Sequence, residues 1–180
     1  MTEIKPFIEV NTLFDKIVSP ICLKTERLII CDVDKNDAKD YYDLCTDDEN
    51  NKFWGYDYRK DLKGRLDKEY FYKVQEELKI KKEEYSLAIK KGDLFVGEIV
   101  LWNMTDDSVE IGYRIKKEYQ KNGYAKESVA KVIEYIFSIL SAKTVRARIV
   151  KGNEKSEKIL THFGFHRTGE NEKYYFYETK

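Results

Sequence analysis

The sequence predicts an α+β layer fold, a mixed and mostly antiparallel central sheet flanked by helices. Three observations carry that prediction. Three strand-like runs, Tyr85 to Lys90, Asp93 to Asn103 and Val109 to Lys116, follow one another with short turns between them. Connections that short make neighbours antiparallel. A long apolar-periodic run then separates the third strand from a fourth, Thr144 to Val150, which reads as its parallel partner. A second helix, Asn153 to Phe163, and two short strands around Gly169 to Lys173 close the chain.

The elements follow in order. Residues 1–20 read as an N-terminal extension, with an amphipathic piece at Val10 to Val18 packing on the domain; residues 21–180 read as a single domain. Cys22 to Cys31 reads as one strand, ended by Asp32-Val-Asp. Asn36 or Asp37 is placed to cap a short helix through Leu44. Asp47 to Arg59 reads as a loop, acidic at first and then aromatic, with Phe53, Trp54, Tyr56 and Tyr58 around Gly55. Leu62, Leu66, Tyr70, Val74 and Leu78 recur at four-residue steps, which predicts a surface helix over Asp61 to Lys82.

Composition bounds the function classes. At 180 residues the chain is one domain's worth, and 42 % hydrophobic and 14 % aromatic residues suffice for one core. The 33 basic residues balance 33 acidic ones without a concentrated basic stripe, which argues against nucleic acid as a partner. The three cysteines, Cys22, Cys31 and Cys45, show no Cys-x-x-Cys spacing, so neither a disulfide framework nor a zinc site is expected. His162 and His166 are four apart, but Gly164 and Phe165 end the helix between them, and no metal site is expected there either. No apolar run reaches a membrane span and no signal peptide is visible. The expectation is a soluble, cytoplasmic protein with no membrane partner.

The stretch from Val109 to Leu140 bears the first chemical signal. Val109, Ile111, Tyr113 and Ile115 alternate against Glu110 and Arg114 as in a strand. Ala125, Val129, Val132, Ile133, Ile136, Phe137 and Leu140 then mark one helical face. The turn between them offers Asn122 as an N-cap and contains Gly123. The first amides of a helix lack backbone partners, and with the helix dipole they form an anion site that fits a pyrophosphate.

A second signal lies one strand later, where Asn153-Glu-Lys-Ser156 precedes Ile159-Leu160 and Phe163-Gly164-Phe165. Together the two stretches resemble the GNAT acyltransferase superfamily. Gln120, Gly123 and Ala125 match its Gln/Arg-x-x-Gly-x-Gly/Ala turn, and Asn153, Ser156, Gly164 and Phe165 match its second motif. Thr25-Glu26-Arg27-Leu28 resembles the first strand of the branch that acetylates ribosomal-protein N-termini. The resemblance spans Cys22 to the C-terminus and implies a GNAT-like sheet and a single acetyltransferase domain. It further implies an acetyl-CoA-dependent N-acetyltransferase acting on a protein N-terminus, peptide or small amine, with no metal. A homodimer is common in such families, and the acceptor is not named by the sequence.

The resemblance also distributes roles. The pyrophosphate would take backbone amides from Lys121 to Lys126, thus including Asn122, Gly123, Tyr124 and Ala125, with Lys121 or Lys126 adding charge. The pantetheine arm would pair with the backbone near Tyr113 to Ile115. Glu110, ranked above Glu98, is the candidate base, since a carboxylate facing a cleft can accept an amine proton. Asn153 is read as helix cap and cofactor ligand, and Ser156 as a partner of the leaving sulfur. Trp54 and Tyr56 are the candidate acceptor-binding residues. Many GNAT enzymes carry a tyrosine acid seven residues beyond the asparagine; here that position is Leu160. The proton donor is therefore open, with Tyr113 a substitute, and a non-catalytic acyl-CoA-binding regulatory module is the alternative reading.

Overall fold

The computed structural model describes residues 12–57, 59–64 and 67–180. Val10, Tyr58 and Leu66, used above, lie outside the described residues. Eight strands, β1 (Cys22–Lys24), β2 (Ile29–Asp32), β3 (Glu84–Lys91), β4 (Leu94–Trp102), β5 (Ser108–Ile115), β6 (Thr144–Val150), β7 (His166–Glu170) and β8 (Tyr174–Thr179), form one sheet. Their spatial order is β1-β2-β3-β4-β5-β6-β8-β7. Every pairing is antiparallel except β5 with β6. The helices are α1 (Ala38–Thr46), α2 (Asp48–Asn51), α3 (Arg59–Leu62), α4 (Tyr70–Ile80), α5 (Tyr124–Ser138) and α6 (Glu154–His162).

Strand alternation divides the sheet into two apolar faces. On one, Val109, Ile111, Val145 and Ala147 pack with Val129, Val132 and Ile136 of α5 and Leu160 of α6. Leu13 and Phe14, in a short 3-10 helix, join the same cluster. On the other face, Ala88 and Phe95 pack with Tyr41, Leu44 and Cys45 of α1, Leu62 of α3 and Phe71 of α4. Each large side chain so buried contributes about 1.5–3 kcal/mol.

The strand expected over Cys22 to Cys31 is two strands. Thr25 N donates to Leu28 O at 2.9 Å and Leu28 N to Thr25 Oγ1 at 2.9 Å, which reverses the chain. Glu127 of α5 holds that turn from outside, accepting from Thr25 Oγ1, Arg27 N and Arg27 Nε.

The helix expected over Asp61 to Lys82 is broken. Lys63 and Gly64 have φ of 46° and 80°, conformations that end α3. The buried side chains of α4 are Phe71 and Gln75, while Tyr70, Val74 and Leu78 flank them. Gln75 is satisfied inside: its Nε2 donates to Glu84 Oε1 at 2.8 Å, and Ser86 Oγ donates to its Oε1 at 2.6 Å. The loop expected from Asp47 begins with α2, whose N-cap Asp47 accepts from Asn50 N at 2.7 Å.

Candidate active site

The site begins where two strands part. β5 and β6 pair only from Ser108 to Ile111 against Thr144 to Ala147. Beyond that, Gly112 to Ile115 pair with β4 alone and Arg148 to Val150 with β8 alone. A wedge-shaped gap therefore opens in the middle of the sheet. Lys116 N donates to Val96 O at 2.9 Å, so alternation along β5 turns the backbone of Tyr113 and Ile115 away from β4, toward the gap.

The turn Gln120 to Ala125 lies at the end of β5. Gly123 occupies the N-cap position of α5 with φ 80°, in the left-handed region glycine adopts without strain, and makes no side-chain cap. Asn122 is not the cap that its position predicts. Its Nδ2 donates back to Tyr119 O at 3.0 Å and Gln120 O at 3.1 Å, so it braces the turn instead. Gln120 Nε2 donates to Ile115 O at 3.1 Å and ties the turn to the strand.

A helix of 15 residues thus begins without a side-chain cap. Its first-turn acid, Glu127, is drawn aside by Arg27 at 2.6 Å. Desolvation raises that carboxyl's pKa, yet Thr25 and Arg27 outweigh it and hold it below its usual range. Lys121 and Lys126 are exposed, Tyr124 is buried, and Ala125 is half-buried. These features fit an anion at the helix start.

One cavity passes through the gap. Tyr113, Asn153 and Ser156 line it from the α5/α6 side, and Trp54, Trp102 and Arg148 from the other. Asn153 is the N-cap of α6, its Oδ1 accepting from Ser156 N at 3.3 Å. Tyr113 donates its hydroxyl to Ser156 O at 3.3 Å, and burial pushes its phenol far above the ordinary range. Leu160 lines the same wall. Trp54 and Trp102 meet edge-to-face with centroids 6.1 Å apart. Both rings close over Gly112, where an added Cβ would lie 2.3 Å from Trp102 and 3.3 Å from Trp54.

The two candidate carboxylates have different surroundings. Glu110 points to the α1/α4 side, its Oε2 accepting from Asn103 Nδ2 at 2.8 Å. Arg148 Nε stands 2.7 Å from its Oε1 as an ion pair, yet that buried oxygen has no aligned hydrogen-bond donor among the described residues. Glu98 is fully buried, with Arg114 Nη2 2.5 Å from its Oε1.

The fold therefore brings Tyr113, Asn153, Ser156 and Trp54 to one cavity, with Gln120 to Lys126 at the end of β5. Tyr56 is 49 % exposed, Glu98 is closed off, and Glu110 stands behind Arg148; none of the three lines the cavity itself. Trp102, Gly112 and Arg148 were not singled out by sequence reasoning. A glycine inside a strand pattern marks close approach, and Gly112 carried that signal. Among the described residues no cluster of His, Cys, Asp or Glu could hold a metal, and no helix is long and apolar enough to cross a membrane. His166 Nε2 faces Glu178 at 3.7 Å and His162 lies against Phe163.

The sequence pattern of the acetyltransferase (GNAT) domain matches residues 27–166. The chain belongs to the GNAT acetyltransferases. Among curated relatives of this GNAT chain, the uncharacterized N-acetyltransferase YoaA of Bacillus subtilis is 27 % identical over 152 residues, covering 82 % of this chain and 84 % of that one. Solved GNAT folds superpose on it closely. Spermidine N-acetyltransferase from Vibrio cholerae, in complex with CoA and spermine, gives a TM-score of 0.74 at 14 % identity, covering 86 % of this chain and 96 % of that one. RimL, a ribosomal L7/L12 α-N-protein acetyltransferase in complex with coenzyme A, gives 0.73 at 12 % identity, covering 88 % and 97 %. The GNAT resemblance and the α+β sheet expected from sequence thus agree with these findings, and the protein is an enzyme of the acetyltransferase class.

Proposed function

We propose that the protein transfers the acetyl group of acetyl-CoA directly to a primary amine. The observation that carries this reading is the gap between β5 and β6. β5 leads from that gap toward the uncapped start of α5, and Trp54 and Trp102 line the cavity on the α1/α4 side. In this reading the amides of Gly123, Tyr124, Ala125 and Lys126 receive the pyrophosphate, with Lys121 and Lys126 adding charge. The gap-facing backbone of Tyr113 and Ile115 takes the pantetheine arm and polarises the thioester carbonyl. Asn153 and Ser156 form the wall beside the sulfur.

Glu110 takes the amine proton at Oε1, the oxygen without an aligned donor. Glu98 is the second carboxylate, but it is fully buried with Arg114 on its Oε1, out of reach of the cavity. The freed amine nitrogen forms a bond to the thioester carbon, the carbon–sulfur bond breaks, and its electron pair leaves on sulfur. As the amide forms, the nitrogen gives up its second proton, which Ser156 relays to that thiolate. Trp54, with Tyr56 further out, receives the acceptor.

Titration with acetyl-CoA, followed by thiol release across an amine panel, tests the reading. The account expects saturable binding and turnover, with Glu110→Gln lowering kcat by about 10²–10⁴-fold, the usual contribution of a positioned base. No binding at millimolar cofactor rejects it. Binding without turnover on any amine favours the non-catalytic module instead.

A further inference from the structure

Resting on the reading of this cavity as the acceptor site, we propose that the acceptor carries a carboxylate beside its amine, received by Arg148 and Trp102. Arg148 is the one charged residue lining the cavity among the described residues. Its guanidinium is fixed on three sides: Nε against Glu110 at 2.7 Å, and the faces over the Trp102 and Tyr174 rings at 5.5 and 5.8 Å. Among the described residues its Nη groups have no hydrogen-bond or ion-pair partner, and 40 % of the side chain is exposed. An arginine held this way presents the planar fork that matches a carboxylate.

A second donor points to the same chemistry. Trp102 Nε1 is buried and has no acceptor among the described residues. A carboxylate bound in the cavity sets both oxygens on the Arg148 fork, and one of them also accepts from Trp102. Glu110 and Arg148 stand side by side with opposite charges, which is the complement of an ammonium and a carboxylate on neighbouring carbons. A polyamine offers the guanidinium nothing but like charge. The acceptor class is therefore an amino acid or a compound with an equally placed acid group.

Matched acceptors test this: an amino acid, its carboxamide and its decarboxylated amine, with the wild type and with Arg148→Gln, Arg148→Lys and Trp102→Phe. The acid should exceed its carboxamide by about tenfold or more in kcat/KM, the scale of one charge-assisted bidentate contact. Arg148→Gln should erase that preference through the KM of the acid. Arg148→Lys, which keeps charge without the fork, should retain part of it, and Trp102→Phe, which keeps an aromatic ring but loses the N–H donor, should reduce it. Retained coenzyme A affinity reports that each variant is folded. Equal use of acid and carboxamide, a preference that survives Arg148→Gln, or turnover of polyamines alone overturns the inference while leaving the acetyltransferase reading intact. Failure to bind coenzyme A removes both.

Discussion

Arg114 and Glu98 meet inside the protein, Nη2 to Oε1 at 2.5 Å, with 4 % and 0 % of their side chains exposed. The same guanidinium donates to Asn51 Oδ1 and to Cys45 Sγ, the latter at 3.1 Å, and lies 4.4 Å over the Trp54 ring. One side chain thus joins β4 and β5 to α1, α2 and the aromatic loop that covers the gap. Breaking a buried pair strands a charge, at a cost of about 3–5 kcal/mol.

Arg114→Met and Glu98→Gln should each lower the urea-unfolding free energy by roughly that amount. The double variant should lose clearly less than the sum, because no charge is left alone. Additive losses would show that the two groups do not act as a pair.

Gly112→Ala places a methyl group against Trp102 and Trp54. The rings must move, so the acceptor KM should rise more than the coenzyme A dissociation constant, and tryptophan fluorescence should change. An unchanged acceptor KM would place the acceptor elsewhere.

Asp32 is half-buried, which raises its carboxyl, but Lys79 at 2.6 Å, the Tyr85 hydroxyl and Ile21 N hold it below the ordinary value of 3.8. A depressed folded pKa adds stability that is full above the unfolded value and disappears as pH falls through the folded one. Asp32→Asn should therefore cost about 1.5–3 kcal/mol at pH ~7, the worth of a charged hydrogen bond, and progressively less below pH ~4. Lys79 is raised above 10.5 despite desolvation, so its share of the pair should fade at alkaline pH, as pH rises through its folded pKa. Denaturation midpoints across pH check both limbs.

The three thiols should separate in a native-state labelling time course. Cys22 is exposed and should react first. Burial pushes the Cys31 thiol up, and pushes Cys45 up to about 12 even with Arg114 beside it. Since the thiolate is the reactive form, Cys45 should label only on unfolding. Rapid labelling of Cys45 in the native protein would contradict the packing around Arg114.

What was legible in the sequence is the part that local pattern controls. β3 to β6 and α6 follow from alternation, turn residues and the Asn153 cap. The turn at Thr25 was hidden because Glu127, a hundred residues away, completes it. The buried face of α4 was misplaced because Gln75, a polar residue, enters the interior through partners on β3. Asn122 reads as a cap from its neighbours, yet the positive φ of Gly123 puts the glycine there instead. Trp102 and Arg148 come together only through strand order across the gap, which periodicity does not encode.

The proposed function depends on the first amides of α5 holding the diphosphate of coenzyme A. Titrating the ¹⁵N-labelled protein with coenzyme A and following its backbone amide resonances tests this most directly. The account predicts that Gly123, Tyr124, Ala125 and Lys126 show the largest saturable shifts, and that pantetheine, which lacks the diphosphate, leaves them in place. Saturable binding with those four amides unmoved would contradict it.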